Sequence, residues 1–120
     1  MKILTEQELH NLAMNYVGKE LEAQGYEFMA VNSKLKKHPQ FVCLKDKQLH
    51  FILVEAICFP RNPHIINNDR AEKMRDHAQK FEGLTYYAAV GLHNTEDPSL
   101  PIYLNQPYTI TYPGLKEIKW

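Results

Sequence analysis

The residue pattern predicts an α+β domain built on a mixed central sheet. Three observations carry this: a capped amphipathic helix opens the chain, three strand-like runs follow on short links, and a second helical pattern separates the third run from a fourth. Short links favour an antiparallel meander, whereas a helix between two strands favours a parallel pair with a right-handed crossover.

The first helix is expected over about residues 6 to 24. Thr5 and Glu8 have capping-box spacing, and Leu9, Leu12, Ala13, Tyr16, Val17 and Leu21 recur at helical steps. Glu20 lies at the edge of that apolar stripe, and Gly25 supplies the left-handed residue that stops the helix. Tyr26 to Asn32 alternates as a strand, with Tyr26, Phe28 and Ala30 on one face and Glu27, Met29 and Val31 on the other. A polar, basic link, Ser33 to Pro39, leads to a second strand, Gln40 to Lys45.

Asp46-Lys47 is the expected tight turn, although it lacks the usual glycine. That turn places Cys43 opposite His50 and leaves Cys58 far along the sheet, which excludes a Cys43–Cys58 disulfide. Leu49 to Phe59 is nearly all apolar, as a central strand covered on both faces should be. Pro60 and Pro63 break it. A second helix is capped by Asn68 or Asp69; Ala71, Met74, Ala78 and Phe81 form its buried stripe, and Glu72, Lys73, Arg75, Asp76, Gln79 and Lys80 a solvated face. Gly83 ends it, and Thr85 to His93 is a fourth strand. A proline-containing loop over 94–107 precedes a short terminal strand, Tyr108 to Tyr112, and Pro113-Gly114 is expected to turn before the tail. Nothing divides residues 1–120 into two domains.

Composition narrows the functional classes. Fourteen basic and fourteen acidic residues leave no net charge, which argues against a dedicated nucleic-acid or anionic-membrane binder. No apolar run approaches the length of a membrane span and the first residues lack a signal-like core, so a cytoplasmic location is expected. Two cysteines within strand-like runs read as buried free thiols; they are too few for a zinc ribbon or an iron–sulfur cluster. The six histidines show no metal-binding spacing, and neither a Gly-x-Ser-x-Gly elbow nor a phosphate-cradling glycine loop is present.

The α-β-β-β-α-β order over about residues 6 to 93 resembles the restriction-endonuclease-like fold, whose active members carry a PD-(D/E)xK motif. Gly18-Lys19-Glu20 before Gly25-Tyr26 is similar to the helix and turn of small members of that family. Leu53-Val54-Glu55-Ala56-Ile57 matches a third strand that ends Val-Glu-Val-Lys. In such enzymes a second-strand Asp and the third-strand acid hold a divalent cation, and the lysine steadies the attacking water or the phosphate. Here Glu55 is kept and Glu20 matches the helical glutamate; the lysine position is Ile57, and Gln40 to Leu44 contains no carboxylate. The resemblance therefore implies the architecture with a degenerate active site. The expectation is a non-catalytic binding or assembly protein with no catalytic residue, no metal ligand and no cofactor. The enzyme alternative is a nuclease using Glu20 and Glu55 with Mg2+ or Mn2+.

The whole chain also resembles short proteins that carry the name of the flavoprotein component of Na+-translocating NADH:quinone reductase, through Tyr103 to Tyr108 and Gly114-Leu115. The iron–sulfur domain of that flavoprotein needs four cysteines, and the name does not suit a chain with two.

Glu55 is the most informative single residue, because a carboxylate in an apolar strand requires a partner or an opening to water. Lys34, Lys36, Lys37 and His38 form the candidate binding loop, by which the chain would hold nucleic acid without cleaving it. Tyrosines concentrate in the last third, where a terminal edge strand would pack on the sheet or pair with its mate in a homodimer.

Overall fold

The structure is a computed structural model and describes residues 2–34, 39–63, 72, 73, 76 and 83–118. It is an α+β domain in which helix α1 (Glu6–Ala23) lies on one face of an open mixed sheet. The strands are β1 (Glu27–Val31), β2 (Phe41–Lys45), β3 (Gln48–Cys58), β4 (Leu84–Asn94), β5 (Tyr108–Thr111) and β6 (Lys116–Glu117). Their order is β1-β2-β3-β4-β5, with β6 also on β4. The first three form the expected antiparallel meander, β3 and β4 run parallel, and β5 and β6 run antiparallel to β4.

The capping box forms as expected. Thr5 Oγ1 accepts from the Glu8 amide at 3.1 Å, and the Thr5 amide donates to Glu8 Oε1 at 3.0 Å. The Thr5 backbone bond, then its hydroxyl, holds the Glu8 carboxyl below the usual carboxylate range. The buried face is turned from the expected stripe: His10 and Met14 join Ala13, Val17 and Leu21, while Leu9 and Leu12 lie at its margin.

Asp46 (φ 53°) and Lys47 (φ 64°) make a two-residue hairpin loop with both central residues left-handed, the type I′ signature, and Cys43 pairs with His50 as expected. In β1 the alternation breaks. Phe28 pairs with Cys43 but Ala30 pairs with Val42, so a bulge at Met29 sends Phe28 and Ala30 to opposite faces. Phe28 stacks on Phe41 at 5.4 Å, on the helix side.

Strand alternation divides β3 and β4 between two cores. Ile52, Val54, Ala88, Val90 and Leu92 pack beneath α1. Leu53, Ile57, Tyr87 and Ala89 pack on the opposite face with Ile118. Glu72, Lys73 and Asp76 are helical and exposed, as the polar face of the second helix should be. The remainder of that helix, its stripe Ala71, Met74, Ala78 and Phe81 included, lies outside the described residues.

Pro113-Gly114 does not reverse the chain. Thr111 pairs with Gly91 and Lys116 with Tyr87, so β5 and β6 run along one edge of β4 in one direction, interrupted over 112–115. Gly114, at φ 96°, turns the backbone within that interruption. The 94–107 connection is held by the N-terminal segment: the Leu4 amide donates to Ile102 O at 3.0 Å and the Leu104 amide to Lys2 O at 2.8 Å.

Candidate functional site

Glu55 sits well inside β3, where alternation places it with Leu53 and Ile57 on the face away from α1. It is only 5% exposed, so its charge cannot rely on bulk water. The Tyr87 hydroxyl donates to Glu55 Oε2, and Arg61 Nη2 lies 4.0 Å from the same oxygen. Tyr87 reaches it across the parallel pair, because Leu53 is opposite Tyr87 and Glu55 is opposite Ala89. Arg61 comes from the turn that follows β3, between Pro60 and Pro63; its side chain is 62% exposed.

The second strand contributes a buried amide. Gln40 is fully buried, its backbone amide donates to Ile52 O at 3.1 Å, and its Oε1 accepts from the Val54 amide at 2.7 Å. The side chain thereby continues the ladder beyond the start of β2 and satisfies a β3 amide that the strand itself no longer covers.

Glu20 lies elsewhere. It is on α1, beside Tyr112, whose hydroxyl is pushed up to about 12 by burial and then by the Glu20 carboxylate and Tyr16. Tyr16 and Tyr112 meet edge to face at 5.4 Å, in the core on the helix side of the sheet. The sheet therefore separates Glu20 from Glu55. Among the described residues no group of three or more His, Cys, Asp or Glu is placed to hold a metal ion. A divalent cation prefers several oxygen ligands. Glu55, bonded to a tyrosine hydroxyl and facing a guanidinium, does not fit one.

A family model described as Domain of unknown function (DUF8840) matches residues 7–118. The chain belongs to this family. The match runs from the first turn of α1 to the end of β6, so it spans every element that builds the Glu55 face. No curated protein and no solved structure matches the chain.

In this DUF8840 domain the Glu55 face opens, at the carboxyl ends of β3 and β4, into a cleft of about 360 Å3. Its walls include Ile57, Phe59, Arg61, Asn62, His93 and Thr111. A second cavity of about 240 Å3 adjoins the helix side of the same strand ends, beside Cys58, Leu4 and Ile102. Ligands of open sheets with parallel strands characteristically bind outside the carboxyl ends of those strands.

The thiols are free. Cys43 is buried and its thiol is pushed up to about 11 by burial; Cys58 is only half-buried, against the expectation of two fully buried thiols. Burial raises the Cys58 thiol as well, and Arg61 partly opposes it. Lys34 is exposed at the end of the β1 segment, while Lys36, Lys37 and His38 lie outside the described residues. Among the described residues no helix is long and apolar enough to cross a membrane.

Tyr87, Arg61 and Gln40 are site residues that sequence reasoning missed. Glu55 itself was the available signal: a buried acid calls for a donor and a cation, and Arg61, only six positions on, is the first cation after it.

Proposed function

We propose that this domain is a restriction-endonuclease-like frame that has given up metal-dependent cleavage and acts by binding. One observation carries the reading: the strand carboxylate Glu55 is engaged by Tyr87 and faces Arg61, on the opposite side of the sheet from Glu20. A two-sided metal clamp needs converging acids, and phosphodiester attack needs a cation near the developing charge. Ile57 and Gln40 supply neither. Free thiols fit a cytoplasmic setting, where disulfides are rare.

The test is incubation with a panel of DNA and RNA substrates in Mg2+ or Mn2+. The expected result is no metal-dependent cleavage above that of the Glu55→Ala variant. Cleavage present in the natural chain and abolished by Glu55→Ala would overturn the reading.

The form of assembly that the sheet supports is a homodimer through β1. All five β1 residues are exposed, Met29 at 56% and Val31 at 57%, and one edge of the strand is unpaired among the described residues. Sedimentation velocity is expected to show a concentration-dependent dimer that Met29→Lys suppresses. A monomer at every concentration would remove the dimer and leave the binding reading in place.

A further inference from the structure

We propose that the cleft at the carboxyl ends of β3 and β4 binds a small organic monocarboxylate with an apolar body, its carboxylate held by Arg61. The inference rests on the reading of this domain as a binding protein and names the ligand class. The cleft's volume, about 360 Å3, falls in the range of small-molecule sites. Its lining has the composition of such a site: Ile57, Phe59 and Pro98 offer apolar surface, while Arg61, Asn62, His93 and Thr111 supply polar groups.

Charge selects the ligand. Among the described residues of the lining Arg61 is the sole Lys or Arg, and a planar guanidinium matches a carboxylate in two parallel hydrogen bonds. Its ion pair to Glu55 is 4.0 Å long and reaches only Nη2. With the side chain 62% exposed, donors remain for an incoming anion. The nearby Glu55 charge limits what enters. It is buried, hence poorly screened, and repels a second negative charge brought against one shared cation. A monoanion is therefore preferred over a phosphate dianion. The exposed Phe59, 57% accessible at the rim, offers an apolar body a surface to cover.

The floor of the cleft is built for close approach. A Cβ on Gly91 would stand 2.9 Å from Pro63 Cγ, so Pro63 lies directly on the strand and brings the Arg61–Asn62 segment over the sheet. The guanidinium is thus carried by a wall in firm contact with β4, and not by a free loop.

The experiment is an NMR titration of the full chain with phenylacetate, with 2-phenylethanol as the uncharged analogue and inorganic phosphate as the competing anion. Phenylacetate is expected to give saturable shifts at the amides of Arg61, Asn62, His93 and Thr111, with a Kd in the millimolar range usual for a ligand of about ten heavy atoms. Arg61→Ala is expected to weaken binding at least tenfold, and Glu55→Gln to tighten it several-fold by removing the competing charge. 2-Phenylethanol and phosphate are expected to bind at least tenfold more weakly than phenylacetate. Absence of saturation, an unchanged Kd in Arg61→Ala, or tighter binding of phosphate would overturn the proposal. This titration is independent of the cleavage assay: a failed titration without cleavage removes the carboxylate site alone, whereas metal-dependent cleavage removes the binding reading itself.

Discussion

Tyr87→Phe is expected to destabilise the fold by about 1–3 kcal/mol, the usual cost of taking a partner from a buried charged acceptor. The change removes one oxygen and leaves the ring volume in place, so packing against Leu53, Ile57 and Ala89 is retained. What is lost is a donor to Glu55 at a site where only 5% of that residue is exposed. Arg61→Ala makes the contrast. The carboxylate is buried, but the guanidinium is 62% exposed and 4.0 Å away, so solvent screens it and its loss is expected to cost less than that of the hydroxyl. Urea unfolding at an unchanged m-value separates the two. Equal midpoints for Tyr87→Phe and the natural chain would show that the hydroxyl does not support Glu55.

Gly91→Ala is expected to cost about 1–3 kcal/mol, the range for overpacking a filled interior. Its Cβ would meet Pro63 Cγ at 2.9 Å, Thr111 O at 3.1 Å and Thr111 Cβ at 3.2 Å. A proline ring and a backbone carbonyl in the β4–β5 ladder have little freedom to withdraw, so the added methyl must move one of them. Displacing Pro63 also moves the segment bearing Arg61, and thus phenylacetate affinity should fall with stability. Gly18→Ala in α1 is the internal control. There a Cβ meets Phe41 at an ordinary 3.5 Å, and alanine in a helix interior gains about 0.5–1 kcal/mol over glycine. Thermal melts of opposite sign for the two variants verify the argument; a neutral Gly91→Ala would refute it.

The main body of the sheet was legible because its signals are local. Alternation and the Asp46-Lys47 pair set the β2–β3 register, including Cys43 opposite His50, and the helical spacing between β3 and β4 implied their parallel pairing. The details that escaped depend on tertiary partners. Lys116-Glu117 has no strand character of its own; it becomes β6 because the N-terminal half of β4 still has an edge to pair. The Met29 bulge is a single extra residue in an otherwise regular alternation, invisible until the strand is laid against β2. His10 and Met14 are buried because the helix rolls on the sheet, a rotation that helical spacing leaves undetermined.

The site followed the same division. Glu55 stood out as an acid in an apolar run, but its bond to Tyr87 joins residues 32 positions apart and exists only through the parallel register. Glu20 and Glu55 matched a family pattern one at a time. Their separation by the sheet follows from the parity of residue 55 and the face on which α1 packs.

The interrupted C-terminal strand has a consequence for growth of assemblies. A sheet with two adhesive edges can add copies without limit and form a fibre. Here β5 and β6 make one edge short, of four and two residues, and break it with a proline, so that edge is a poor template. The edge open to pairing among the described residues is β1, at the other end of the sheet. In the proposed dimer, two copies joined β1 to β1 about a twofold axis would consume that edge of each, and association would stop at two.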